Sequence, residues 1–445
     1  MKLNARITDF LCKRLAGRHT LRSVLDNSFW LFCDQILRMG TGLLVGVWMA
    51  RYLGPERFGW LNYALATVGV VGAFTSFGLN SVVVRELVRT PSDMNSYAGA
   101  AFFLRGIGAA LGYLACIGVA YLNAVPSDEV RLLILIVAGG MFFQVFDVFD
   151  LLFQASGAAR ISAWVRMAAC LLTTTIKVVL LLCHASVAWL ALAGVAEIFL
   201  TAAGWWWAAR RKGWRIADWN CERNRVFTLL NQSWPLAVAT VAITVQAYAD
   251  QLVIGFMLGG NELGQYSVAI RLISIFGFLP ILITTVVAPE ITRAKRDDEL
   301  LYLRRMHTIY RLMFGLFLIT ALPLVLFGSL LVKTLYGASF AGAAALLPIL
   351  AARLFLTNFG VARSLFLTNE GLLRFALMTA VAGGVTNIIL NLMLVPHWGV
   401  NGAIFSSLAS FFVTTFALEM FHPRARVNFR LMASAVFLPW RPFNG

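Results

Sequence analysis

Asn27 to Ala64 reads N-S-F-W-L-F-C-D-Q-I-L-R-M-G-T-G-L-L-V-G-V-W-M-A-R-Y-L-G-P-E-R-F-G-W-L-N-Y-A, and Gln232 to Ala269 reads Q-S-W-P-L-A-V-A-T-V-A-I-T-V-Q-A-Y-A-D-Q-L-V-I-G-F-M-L-G-G-N-E-L-G-Q-Y-S-V-A. At an offset of 205, without a gap, Ser28, Leu31, Leu53, Gly54, Gly59 and Ala64 meet Ser233, Leu236, Leu258, Gly259, Gly264 and Ala269. Both copies spell L-G-x-x-x-x-G-x-x-x-x-A after an apolar stretch of the roughly 20 residues that a membrane helix needs. At an offset of 214, Gly157 and Arg160 meet Gly371 and Arg374. The chain therefore reads as a duplication of an apolar, helical half.

Working outward, apolar stretches of that length predict twelve spans. The first set covers 29–50, 60–84, 97–121, 131–153, 161–183 and 187–209. The second covers 234–258, 264–288, 309–331, 342–363, 372–394 and 400–421. Six spans per half is an even number, so the halves share one topology and are related by an axis along the membrane normal. The predicted fold is all-α: a polytopic membrane protein with 12 transmembrane helices in two parallel six-helix bundles around a central cavity. Its parts are an amphipathic N-terminal segment (1–28), an N-lobe (29–209), a cytoplasmic linker (210–233), a C-lobe (234–421) and a cytoplasmic tail (422–445). In the first segment Ile7, Phe10, Leu11 and Leu15 share a helical face opposite Lys13, Arg14 and Arg18, the pattern of a helix lying on the membrane surface.

Composition agrees. Of 445 residues, 60% are hydrophobic and 13% charged, which excludes an ordinary soluble domain, a disordered chain and a soluble nucleic-acid binder. The net charge of +16 is explained by topology, because basic residues gather on the cytoplasmic side of short loops. Counting basic residues at span edges with the loop they adjoin, the termini and the loops after even-numbered spans hold 27, against four in the loops after odd-numbered spans. Both termini are expected to be cytoplasmic.

The six scattered cysteines and five isolated histidines form no C-x-x-C and no H-E-x-x-H, so neither a disulfide framework nor a metal site is expected. With no P-loop and no G-x-S-x-G elbow, ATP hydrolysis and acyl transfer lack a residue-level basis. Transport without cofactor is a better class than catalysis.

Six basic side chains lie inside spans or at their edges: Arg38, Arg105, Lys177, Arg271, Arg311 and Arg353. A charge at the bilayer centre costs about 2.5–3.5 kcal/mol on insertion scales, so such residues face a polar interior and often mark a substrate path. Arg311 sits near its span end and is read as snorkelling. The bland reading of the others is ion pairing. Asp34 lies one turn before Arg38, a spacing that suits an intrahelical pair. Asp147 and Asp150 share a face and are placed to neutralise Lys177 or Arg105. Asp250, Asp147, Asp150 and Asp34 are thus candidates for ion coupling or charge pairing. Thr173, Thr174 and Thr175, and Thr386, Asn387 and Asn391, occupy nearly equivalent repeat positions and suit hydrogen bonding between helices. The thirteen tryptophans, among them Trp205, Trp206 and Trp207, suggest an interfacial belt.

Several ordered motifs then carry a family resemblance. They are A-R-Y-L-G-P-E-R-F-G at Ala50 to Gly59, F-G-L-N-S-V-V-V-R-E at Phe77 to Glu86, F-Q-A-S-G at Phe153 to Gly157, D-Q-L-V-I-G at Asp250 to Gly255, L-G-Q-Y-S-V-A-I-R at Leu263 to Arg271, and A-P-E-I-T-R at Ala288 to Arg293. In their order and spacing the chain resembles the Wzx-like flippases of polysaccharide and O-antigen repeat units, within the multidrug/oligosaccharidyl-lipid/polysaccharide exporter superfamily. That resemblance implies two bundles around a cationic cavity, and movement of undecaprenyl-diphosphate-linked oligosaccharide to the periplasmic leaflet of the bacterial inner membrane. It implies membrane lipids, a polysaccharide polymerase and a chain-length regulator as further partners. By position Arg271 matches a basic residue of span eight, Asp250 an acidic residue of span seven, and Arg38 a cavity arginine of related precursor flippases. Arg38, Arg271, Lys177, Arg105 and Arg353 are the candidate phosphate-binding residues: the guanidinium of the arginines gives bidentate, charge-assisted bonds to phosphate oxygens, and the Lys177 ammonium a point charge. Lipid II flippases are similar too but add two spans, and Leu431 to Trp440 is too short to cross. The rival expectations are a cation-coupled drug exporter of the same superfamily and a non-transporting scaffold for polysaccharide synthesis.

Overall fold

The computed structural model describes residues 2–121 and 127–437, with side chains from residue 29 onward. The expected amphipathic face of residues 1–28 and the last eight residues of the tail lie outside the described side chains. Helices make up the described chain: α1 (Lys2–Thr75), α2 (Leu79–Arg89), α3 (Met94–Tyr121), α4 (Asp128–Gln144), α5 (Val148–Ala155), α6 (Ala159–Leu182) and α7 (Val187–Arg211), then α8 (Arg223–Met257), α9 (Gly260–Phe276), α10 (Phe278–Asp297), α11 (Glu299–Tyr336), α12 (Ala341–Asn369), α13 (Leu373–Thr415) and α14 (Ala425–Phe437). Among the described residues, ten helical stretches are long and apolar enough to cross a membrane. Two of them, in α1 and α13, are each broken by a glycine with positive φ, Gly54 (φ 71°, ψ 172°) and Gly399 (φ 58°, ψ −139°). Each counts as two crossings, which gives twelve in a multi-pass, all-helical membrane protein.

Three predicted spans are interrupted. Span two ends at Thr75, where Phe77 and Gly78 turn through positive φ before α2. Span four passes through a 3-10 turn at Val145–Asp147, and span eight breaks at Gly277 between α9 and α10. The linker differs as well: α8 already begins at Arg223, and Trp214 and Trp219 pack into the helical core.

The chain forms two compact units. One contains Met1–Gly46, Thr75–Ile117 and Leu135–Trp234. Its core joins Leu79, Val83, Phe149, Leu152 and Phe153 to Trp205 and Leu229. The ring of Trp219 lies 5.5 Å from that of Phe102 and 5.1 Å from that of Phe149, and Trp214 lies 5.2 Å from Phe153. Trp205 is therefore a core residue. Trp206 and Trp207 stay exposed, under the guanidinium groups of Arg210 and Arg211 at 4.7 and 3.8 Å.

The other unit contains Val47–Phe74, Gly118–Ile134 and Pro235–Gly445. Its core packs Tyr302, Tyr310 and Met313 of α11 on Phe359 and Phe366 of α12, with Leu431, Met432 and Ala435 of α14. The sequence repeat is visible here as geometry. Gly259 (φ 93°, ψ −179°) takes the conformation of its counterpart Gly54, one that L side chains rarely adopt. Downstream, a Cβ on Gly59 would collide with the carbonyl of Gly260, and one on Gly264 would collide with the carbonyl of Pro55. Pro55 and Gly260 are themselves repeat partners at the same offset of 205. The contact is self-complementary, as in a two-fold interface.

Candidate functional site

In the second unit, Asp250 sits two turns before the end of α8 and is fully buried. Asn387 and Asn391, one turn apart, present the same face of α13 to it. Their Nδ2 groups donate to Asp250 Oδ1 at 3.0 and 2.9 Å. On the other oxygen, the Tyr266 hydroxyl of α9 donates at 2.8 Å and Arg353 of α12 forms an ion pair at 3.7 Å. Arg353 also lies 4.7 Å over the Phe411 ring. A buried carboxylate is tolerable only when paired and hydrogen-bonded, and here one cation balances one anion while both oxygens accept. The side-chain oxygens of Asn387 and Asn391 are buried without hydrogen-bond partners.

In the first unit the ions are shared differently. Arg166 of α6 donates to Asp34 of α1 at 2.9 Å and to Asp150 of α5 at 3.3 Å. Asp150 also accepts from Ser162 and from Gln154 at 2.9 Å. Arg105 of α3 donates to Asp147 at 3.2 Å, to the Gln144 carbonyl at 3.1 Å and to Asn80. A cavity of about 520 Å³ opens among Asn80, Arg85, Arg105, Asp147, Asp150 and Gln154. Two guanidinium groups, Arg105 and Arg166, thus meet three carboxylates, Asp34, Asp147 and Asp150. Lys177 pairs with Glu197 across α6 and α7 at 2.9 Å.

The five expected basic residues therefore divide. Arg105, Lys177 and Arg353 each meet a carboxylate. Arg38 is exposed on α1 and forms no ion pair among the described residues. Arg271 is half-buried on α9. The expected Asp34–Arg38 pair is corrected: Asp34 is buried whereas Arg38 is exposed on the same helix, and Asp34 accepts instead from Arg166 of α6. Lys177 goes to Glu197 rather than to Asp147 or Asp150, while the Arg105–Asp147 pairing holds. Of the threonines, Thr173 and Thr175 bond to their own helix, at Ala169 and Leu171, and only the asparagines reach another helix.

Sequence reasoning passed over two arginines. Arg166 lies near the start of span five and enters the charge count with Arg160 and the cytoplasmic loop. Arg363 was counted in the same way, yet it is buried, pairs with Glu419 at 2.7 Å and donates to Thr379 at 2.9 Å. Glu419 in turn accepts from Asn428 of α14 at 2.7 Å, and Asn428 accepts from Tyr310 at 2.6 Å. This chain of bonds fixes α14 to the second unit. Among the described residues, no group of three or more His, Cys, Asp or Glu side chains is arranged to hold a metal ion.

The family model for polysaccharide biosynthesis proteins matches residues 24–295. The chain belongs to that family. Its fold is that of transporters of the MOP superfamily, as expected from the motifs. A multidrug resistance MATE family transporter in an inward-facing conformation superposes with a TM-score of 0.72 at 17% identity, over 90% of this chain and 96% of that one. The lipid II flippase MurJ in an inward closed conformation gives 0.62 at 14% identity, over 94% of each chain. A MOP superfamily transporter from Pyrococcus furiosus, described as having a binding pocket of reversed polarity, gives 0.61 at 16% identity, over 93% and 96%. No curated protein sequence matches the chain.

Proposed function

We propose that this member of the family is a flippase for undecaprenyl-diphosphate-linked polysaccharide repeat units, of the O-antigen or exopolysaccharide kind. It moves them from the cytoplasmic to the periplasmic leaflet of the bacterial inner membrane by alternating access, without catalysis and with both termini cytoplasmic. The lobes spanning 29–209 and 234–421 are its working halves, and a polymerase and chain-length regulator receive its product. The observation that carries this reading is the polysaccharide-biosynthesis family match on a chain of membrane-crossing helices.

Arg38 and Arg271 hold the diphosphate in this reading. Arg105, Lys177 and Arg353 already neutralise carboxylates, so they serve as structural charges that a phosphate reaches only by exchange. Moving negative charge outward is favoured when the cell interior is negative, by about 2.3 kcal/mol per charge per 100 mV. A diphosphate with about two charges would gain on the order of 4–5 kcal/mol if it crossed the whole field.

The test is mass spectrometry of lipids that copurify with the wild type and with the Arg38→Ala, Arg271→Ala double variant. A polyprenyl-diphosphate oligosaccharide enriched with the wild type and lost from the variant is expected. Equal, nonspecific phospholipid in both removes the reading. One observation favours the rival, a drug exporter: the excess of carboxylate over guanidinium around Arg166 and Arg105 suits a cationic ligand. Energised uptake of a cationic dye into inverted vesicles, abolished by Asp150→Asn, would move the assignment there.

A further inference from the structure

The second unit contains a cavity of about 580 Å³, within the range of small-molecule pockets, and it involves none of the basic residues assigned to phosphate. Its walls come from α8, α10, α12 and α13, and five of the side chains lining it are Thr284, Thr285, Thr357, Thr368 and Thr414. Each of these hydroxyls donates its proton to the carbonyl one turn back. The acceptors are Pro280 (2.9 Å), Ile281 (2.7 Å), Arg353 (3.0 Å), Ser364 (2.8 Å) and Ser410 (2.9 Å). A hydroxyl has one donor and two acceptor sites, so these five threonines offer the cavity lone pairs and no protons; the hydroxyls of Ser364 and Thr415 line it as well. Gln246 is used in the same sense: its Nε2 bonds to Ser410 at 3.1 Å and Thr414 at 3.3 Å, leaving Oε1 as the acceptor.

Charge points the same way. No carboxylate lines the cavity, and the guanidinium that does, Arg363, has its charge compensated by Glu419 at 2.7 Å. A diphosphate would find no uncompensated cation there, and an ammonium ligand would find no anion. Between the oxygens lie threonine methyls, Leu356, Val361 and the Phe411 ring, surfaces suited to C–H groups. The ligand that satisfies all three conditions is neutral, rich in O–H and N–H donors, and edged with C–H.

We infer that this cavity receives a neutral sugar residue of the lipid-linked glycan, so that the unit reads sugar at a place separate from the diphosphate. The inference rests on the flippase reading above and specifies its substrate recognition.

The experiment uses the full chain in lipid nanodiscs with four probes: undecaprenyl diphosphate and its N-acetylglucosamine, galactose and glucose derivatives. Dissociation constants are compared for the wild type, for the Thr357→Val, Ser364→Ala, Thr414→Val variant, and for Thr357→Ser, Thr414→Ser, which keeps the hydroxyls. The first variant is expected to bind at least one sugar-bearing lipid about tenfold more weakly, the loss of a few hydrogen bonds. It should bind the sugar-free diphosphate as the wild type does, and the serine variant should stay close to the wild type for every probe. Parallel weakening for sugar-bearing and sugar-free lipids overturns the inference, because the cavity would then serve the shared part of the ligand or the fold. Unchanged binding of every sugar-bearing lipid overturns it as well and leaves the flippase reading standing. A wild type that binds none of the four probes overturns the flippase reading itself, and the sugar site falls with it.

Discussion

The two ionic clusters solve one problem in different ways. Around Asp250 the carboxylate is closed: one guanidinium balances it, two amides and a phenol saturate it, and every donor comes from elsewhere in the same unit. Around Arg166 the cation is shared between Asp34 and Asp150, and Asp34 Oδ1 has no hydrogen-bond partner among the described residues. The repeat makes the divergence traceable. At the offset of 214, Thr173 and Lys177 correspond to Asn387 and Asn391. One copy placed a cation there and answered it with Glu197. The other placed two amides and drew its cation from α12. Duplicated helices thus kept a polar face while the charge moved to a different helix.

If the second cluster is closed in this sense, breaking it should be the costliest change. Asp250→Ala leaves Arg353 buried without a counter-ion and is expected to cost about 3–5 kcal/mol, read as a large fall in thermal midpoint in detergent. The Asp250→Asn, Arg353→Met pair should recover much of it. A single Asp250→Ala variant as stable as the wild type would show that the closure is not what stabilises that region. Arg166→Ala should cost less, about 1–3 kcal/mol, because Asp150, one of its two carboxylates, retains Ser162 and Gln154 and borders a cavity, and the loss then falls mainly on buried Asp34. Asp150→Asn should soften that loss, and equal effects at Arg166 and Asp250 would erase the contrast between the clusters. The smallest effect belongs to the Lys177→Met, Glu197→Leu double variant, which removes the pair whole; replacing both charges of such a pair by apolar groups is close to neutral, so the midpoint should barely move.

Crossings were readable because hydropathy marks them whatever the backbone does. The turn at Phe77 and Gly78 and the breaks at Val145–Asp147 and Gly277 were not, because apart from Asp147 the residues there are small or apolar and the hydropathy runs on across them. Gly54 and Gly259 were visible as a repeat, though only the structure shows why each must be glycine. In the site, Asp34 and Arg38 looked like a pair because helical spacing sees neighbours within one helix, whereas the actual partner is 132 residues away. Asn387 and Asn391 were recognised as polar and equivalent to Thr173 and its neighbours. Nothing near them in the chain announced Asp250, and a hydrogen bond across 137 residues leaves no local trace. Arg363 was hidden by its position at a span end, where a basic residue normally reports topology.

The reciprocal approach of Gly59 and Gly264 has an evolutionary consequence. Once two copies of a segment rest on each other through the same residue, neither glycine can drift alone: a methyl gained on either side strikes the backbone of its twin. Fusion of the ancestral halves into one gene would ordinarily free each copy to diverge. Here the copies remain bound to a shared history at one point, and the L-G-x-x-x-x-G signature survives there after most of the surrounding identity has gone.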